Sequence, residues 1–259
     1  MTSSVRWTPD DAAQLYAIRD WSGGYFDVSD RGTIVVTPSG RAAPDSGPNA
    51  VGADLLDIVR GLEARDLTMP VVLRFDDILA HRMGDLRRAF DAAVGEAGYA
   101  GAYRCVYPIK VNQQRHLCEV IRDRGAELDF GLEAGSKPEL LAGLALTEGF
   151  DDMPLVCNGF KDAEFLETVL LAEKMGRNVL PVIEQTHELE LLAALAPRHD
   201  LRPRFGIRAK LASSGAGRWA ESVGFRGKFG LSASQILGAI DFVRDRELLD
   251  GLRMLHCHI

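Results

Sequence analysis

Five polar residues, Lys110, Glu133, Asn158, Glu184 and Arg208, each close a short apolar run, and the steps between them are 23, 25, 26 and 24 residues. A lysine where a buried strand emerges can lose its proton and condense with an aldehyde. The run Arg104-Cys105-Val106-Tyr107-Pro108-Ile109-Lys110-Val111-Asn112-Gln113-Gln114 therefore suggests covalent cofactor chemistry. Such a lysine needs a carboxylate to manage protons, a cation to meet substrate or cofactor anions, and an aromatic surface to hold a flat ring. Lys110, Glu133, Arg208 and His258 could supply these together. They could equally form a structural ring of ion pairs, and a strand-end lysine taken alone is usually a solvated charge.

The elements that must position these residues follow from the same spacing. The runs Leu128-Asp129-Phe130-Gly131-Leu132, Pro154-Leu155-Val156-Cys157, Val179-Leu180-Pro181-Val182-Ile183 and Arg204-Phe205-Gly206-Ile207 alternate with stretches of helical spacing, such as Phe165, Val169, Leu170 and Ala172. A step of about 25 residues is one βα unit, and consecutive units imply an α/β fold with parallel strands. Polar residues at nearly every strand end favour a (β/α)8 TIM-type barrel over a doubly wound sheet, whose site gathers at one switch point. A sixth run, Leu252-Arg253-Met254-Leu255-His256-Cys257-His258, follows a long loop. The sequence stops at Ile259, so an eight-stranded barrel would be truncated after about its sixth strand, and the chain reads as a fragment.

The opening third looks different. Tyr25-Phe26-Asp27-Val28 and Thr33-Ile34-Val35-Val36 flank Ser29-Asp30-Arg31-Gly32 as a small hairpin, followed by a Pro- and Gly-rich linker over 37–48. A helix is expected from about Gly52 to Ala64, then a β-rich run Pro70-Val71-Val72-Leu73-Arg74-Phe75, then a helix from about Asp76 to Ala97. The expected organisation is an amino-terminal β segment with linker and helix over 1–69, and an incomplete barrel domain over 70–259.

Composition narrows the function classes. With 259 residues, 46% of them hydrophobic, the chain can bury a large core, and its net charge of −7 argues against general nucleic-acid binding. The longest apolar runs fall far short of a membrane span, and no apolar segment near the amino terminus resembles a secretory signal, so a cytoplasmic protein with a small-molecule ligand is expected. Cys105, Cys118, Cys157 and Cys257 lack the paired spacing of a zinc site and read as reduced, mostly buried thiols.

Three features imitate other sites. Gly215-Ala216-Gly217-Arg218-Trp219-Ala220 resembles a dinucleotide fingerprint, but the residues after it do not read as a buried helix, and a mobile loop beside the barrel mouth fits better. His256 and His258 share a strand face and could begin a metal site, yet His81, His116, His187 and His199 fall in helical or loop stretches. Lys137 reads as a solvated charge at a helix start.

The stretches Tyr107–Gln114, Gly131–Leu140, Val156–Asp162, Gly206–Trp219 and Lys228–Leu231 resemble, in order, the biosynthetic arginine decarboxylases. These are fold-type III pyridoxal phosphate enzymes, with ornithine and diaminopimelate decarboxylases as cousins. The resemblance covers only the front part of such an enzyme. It implies that Lys110 holds pyridoxal phosphate as a Schiff base, that Glu133 lies near that lysine, and that Glu139 belongs to the same network. It further implies that Arg208 lies near the cofactor and that His258 stacks on the pyridine ring. The implied reaction is decarboxylation of L-arginine to agmatine and carbon dioxide in polyamine biosynthesis, by a dimer-based homo-oligomer that also uses magnesium. Alternatives are an ornithine or diaminopimelate decarboxylase, or a barrel that binds pyridoxal phosphate without turnover. The phosphate loop and the partner of the pyridine nitrogen would lie beyond Ile259, so the fragment alone is expected to be inactive.

Overall fold

The computed structural model describes residues 6–37, 52–210 and 230–257. Contacts divide the chain into two compact units, Met1–Ala92 and Ala93–Ile259.

The first unit starts with α1 (Pro9–Leu15) and α2 (Ile18–Ser22). Thr8 opens α1 with a reciprocal capping box to Asp11, which satisfies two backbone donors that the first helical turn would leave unpaired. The expected hairpin is present as β1 (Phe26–Val28) and β2 (Ile34–Val36), paired antiparallel. A third strand, β3 (Ala53–Asp54), joins β2, and Asp54 then caps α3 (Leu55–Glu63) through the amides of Leu56 and Asp57. The helix expected from Gly52 thus begins three residues later, because its first residues are drawn into the sheet. The β-rich run 70–75 belongs to neither sheet, and Val72 is 80% exposed. Strand propensity reports how well a residue fits a pleated, half-buried surface, and no neighbouring strand among the described residues offers one here. The expected long helix follows as α4 (Asp76–Glu96).

The second unit carries the expected alternation. Its elements are β4 (Val106–Pro108), α5 (Arg115–Leu128), β5 (Gly131–Ala134), α6 (Lys137–Leu146), β6 (Leu155–Cys157) and α7 (Ala163–Lys174). They continue with β7 (Val179–Ile183), α8 (Thr186–Leu195), β8 (Phe205–Arg208), α9 (Ala233–Arg244) and β9 (Leu252–His256). The strands form one parallel sheet in the order β4-β5-β6-β7-β8-β9. Each new strand is added beside the last and the order never reverses, which is the topology of a (β/α)8 barrel and not of a doubly wound sheet.

The helices cover the sheet through a continuous apolar layer. Leu166 and Leu170 of α7, Leu189 and Leu192 of α8, and Ala239 and Val243 of α9 pack with Ile183, Phe205 and Ile207 from the strands. Most of these residues are completely removed from water, and each large side chain so buried contributes roughly 1.5–3 kcal/mol. This layer fixes the strands and therefore the positions of the residues at their carboxyl ends.

The four cysteines are free thiols, but only Cys118 and Cys157 are buried; Cys105 is half-buried and Cys257 exposed. Cys257 lies one residue beyond β9. No described helix is long and apolar enough to cross a membrane.

Candidate active site

Lys110 sits in a single 3-10 turn, Ile109–Val111, immediately after β4, so the strand itself ends two residues before the lysine. The local sequence explains the turn. Ile109 points into the core at 3% exposure while Lys110 faces outward and is exposed. The Tyr107 hydroxyl donates to the Asn112 carbonyl at 3.1 Å, and Asn112 Oδ1 accepts from the Gln114 amide at 3.1 Å. These bonds lock the chain between β4 and α5, and burial pushes the Tyr107 phenol above its ordinary pKa. The lysine is left accessible on a fixed backbone.

Glu133 pairs in register with Pro108 and is buried to 5% exposure. Burial pushes its carboxyl above the ordinary carboxylate range; a hydrogen bond from Asn158 and the charges of Lys110 and Arg208 pull the other way, and Glu184 adds to the rise. All four strand-end neighbours of Glu133 therefore act on one carboxyl group. Asn158 is held in place by its amide, which donates to the Ala134 carbonyl at 2.8 Å.

Glu184, at the end of β7, is 1% exposed. Its Oε1 accepts from Arg208 Nη1 at 3.0 Å and from the Gly159 amide at 2.8 Å. The Arg208 carbonyl accepts from the Leu231 amide at 2.7 Å, and the Glu184 carbonyl accepts from the Gly230 amide at 3.2 Å. The chain leading into α9 is thereby stitched to the ends of β7 and β8.

Lys110, Glu133 and Arg208 thus come together as the spacing suggested, with Asn158 and Glu184 completing the cluster. Glu139 plays a neighbouring part: its Oε2 accepts from the Gly135 amide at 2.7 Å, bracing the loop between β5 and α6. His258 lies outside the described residues, as does the Gly215–Ala220 stretch. His256 pairs in register with Arg208 at the end of the sheet. Among the described residues no group of three His, Cys, Asp or Glu side chains could hold a metal ion. Lys137 starts α6 and bridges to Asp162 at 3.0 Å and Glu164 at 2.5 Å, a surface role.

Two polar residues escaped the sequence reading. Lys161 and Glu188 are fully buried and form an ion pair beside Glu184. The available signal was that Glu188 shares one helical face of α8 with Leu192 and Leu195, a charge on an otherwise apolar stripe.

The cluster suits the aldehyde end of pyridoxal phosphate. It offers an accessible amine, a buried carboxyl biased toward keeping its proton, and two buried acceptors, Glu184 Oε2 and Asn158 Oδ1, without hydrogen-bond partners among the described residues. Unsatisfied buried acceptors are costly, and a protonated or hydroxyl-bearing group in the mouth would satisfy them. The two prominent described cavities adjoin the opposite ends of the strands. One of about 560 Å³ lies by Pro203 and Leu248, and one of about 250 Å³ by Arg104, Phe130 and Pro154, so neither touches Lys110.

Comparison with known proteins identifies the family. Residues 83–259 match the family described as pyridoxal-dependent decarboxylase, pyridoxal binding domain. The biosynthetic arginine decarboxylase of Rhodopirellula baltica is 45% identical over 98% of this chain, which spans 37% of that protein's length. The crystal structure of the biosynthetic arginine decarboxylase of Campylobacter jejuni is similar with a TM-score of 0.78 and 29% identity, over 94% of this chain and 37% of that one. A diaminopimelate decarboxylase from M. jannaschii shares the fold, with a TM-score of 0.62 at 17% identity over 91% of this chain and 48% of that one. With the family match spanning Lys110, Glu133 and Arg208, the chain belongs to the pyridoxal-dependent decarboxylases.

Proposed function

We propose that the protein carrying this chain is a carboxy-lyase that converts L-arginine to agmatine and carbon dioxide, with pyridoxal phosphate joined to Lys110. The substrate rests on the extensive likeness to arginine decarboxylases. The observation that carries the site is that Lys110, Glu133, Asn158, Glu184 and Arg208 stand at or just past the carboxyl ends of five adjacent parallel strands, with Glu133 buried among them.

Bound pyridoxal phosphate would supply an electron sink for the pair of electrons left when carbon dioxide departs. The chain's own residues do the rest. Lys110 presents its amine from a braced turn. Glu133, biased toward its protonated form, can hold a proton at a carboxyl oxygen near that amine and exchange it during turnover. Arg208, anchored through Glu184, brings positive charge to the mouth for an anionic group. In this reading Glu139 supports the site through Gly135, and His258 lies against the cofactor ring. The cofactor-binding region is taken as 70–259, with 1–69 contributing to a β-domain. The proposal extends to polyamine biosynthesis in the cytoplasm, to a dimer-based homo-oligomer, to magnesium dependence, and to the absence of nucleic-acid and membrane partners.

Borohydride reduction of the full-length protein followed by peptide mapping tests the central claim. The cofactor adduct is expected on Lys110, and an adduct on any other lysine overturns it. Carbon dioxide release should be fastest from arginine; equal rates from ornithine or diaminopimelate would overturn the substrate assignment.

A further inference from the structure

The proposed reaction leaves one buried ion pair unused. Lys161 follows β6 by four residues, Glu188 lies in the first turn of α8, and both side chains are fully buried, with Nζ 3.3 Å from Oε2. Glu188 also takes two backbone amides. Its Oε1 accepts from Lys161 N at 3.0 Å and its Oε2 from Glu184 N at 2.8 Å. One carboxylate therefore ties the loop after β6 to the loop after β7.

The circuit closes on itself. Lys161 Nζ donates to the Gly159 carbonyl, and the Gly159 amide donates at 2.8 Å to Glu184 Oε1. Glu184 is thus held at its backbone nitrogen and at the side-chain oxygen that receives Arg208. Asn158, one residue before Gly159, carries the hydrogen bond to Glu133. Both strand-end groups beside Lys110 depend on the same ring. Burial pushes the Lys161 ammonium below its ordinary pKa, opposed by Glu188 and Glu184. A buried ion pair is often no more stabilising than apolar residues of equal volume, so its contribution lies in what it orients.

We propose that Lys161 and Glu188 are positioning residues, which touch neither substrate nor cofactor but hold the Glu184–Arg208 and Asn158–Glu133 pairs in place around Lys110. The ring itself can be tested without cofactor; only its consequence for catalysis rests on the reading of Lys110 as the cofactor lysine.

The test uses full-length protein with Lys161→Met, which keeps length and removes charge, and Glu188→Gln, which keeps shape and one acceptor. Arg204→Met is the control. It breaks the 2.7 Å ion pair with Glu173 at the start of β8, remote from the mouth. In the cofactor-free protein, either ring variant should speed amide exchange at Gly159 and Glu184 at least tenfold while Leu166 and Leu170 stay protected. In the loaded protein, the Kd for pyridoxal phosphate should weaken at least tenfold. The kcat on arginine should fall at least tenfold, with KM changed less than threefold. Arg204→Met should move the thermal midpoint alone.

Unchanged exchange at Gly159 and Glu184, or cofactor Kd and kcat within twofold of wild type in a folded ring variant, overturns the proposal. So does failure of both ring variants to fold while the control folds, since the pair would then be scaffold. An adduct absent from Lys110 in the wild type sinks the cofactor reading instead, and the exchange measurement still decides the ring.

Discussion

Arg208 on β8 and Glu184 at the end of β7 meet through Nη1 and Oε1 at 3.0 Å, with the Glu184 side chain fully buried and that of Arg208 17% exposed. The pair is asymmetric, because Arg208 can still be solvated at its edge whereas Glu184 cannot. Removing the arginine strands a carboxylate in the interior, and breaking a buried pair in this way costs about 3 kcal/mol. Arg208→Met should therefore lower unfolding free energy by about that amount, read from urea titration. Adding Glu184→Gln to it should recover part of the loss, because the stranded charge is then gone. A double variant as unstable as Arg208→Met would show that packing and not charge sets the cost.

Glu133 makes a pH prediction with a definite sign. Its folded pKa is raised by burial above the unfolded value, so between the two the native state holds more protons than the unfolded chain. Stability then falls as pH climbs from the ordinary carboxylate pKa through the raised one. Glu133→Gln removes that term, and its stability, measured by denaturant titration at a series of pH values, should lose less than wild type over the same interval. A steeper fall in the variant would contradict the sign.

The strand ends were legible because strands buried on both faces leave uninterrupted apolar runs closed by a polar residue; β6, for instance, is buried at every position and is followed at once by Asn158. Sequential order was legible because a steady βα step has few topologies open to it. The run at Val71–Leu73 misled because strand propensity carries no information about whether a partner strand is present. A two-residue strand such as β3 is too short for any periodicity to announce it. Lys161 left no mark in the sequence, and the mark left by Glu188 was weak, for another reason. A charged residue is by default a surface residue, and only three-dimensional packing reveals that these two exclude water together.

Thiol chemistry gives an independent check on burial at the mouth. Cys157 ends β6 next to Asn158, is completely buried, and its thiol is pushed up to about 12 by desolvation, opposed by the Lys161 charge. The thiolate is the reactive form, so Cys157 should resist a disulfide-exchange reagent in the native protein, whereas the exposed Cys257 should react quickly. Peptide mapping after native labelling should find the label on Cys257 and none on Cys157 until denaturant is added. Native labelling of Cys157 would mean that the mouth opens.

Gly159 is where the loop after β6 crosses the loop after β5, and its backbone is committed to φ +80°. A Cβ there would stand 2.6 Å from the Gly135 carbonyl oxygen, a backbone atom that cannot swing aside, while Glu139 holds Gly135 by its amide. Both the left-handed conformation and the collision oppose a side chain, at about 1–3 kcal/mol for the strained backbone alone. Gly159→Ala should therefore lower stability by about 2 kcal/mol or more, and it should disturb the amide that Glu184 receives. Gly61, inside α3 with open space where its Cβ would go, is the matching control. Its replacement by alanine should raise stability by about 0.5–1 kcal/mol through helix propensity. Thermal unfolding of the two variants beside wild type separates the cases, since a shift of the same sign in both would mean that the clash at Gly135 does not govern the mouth.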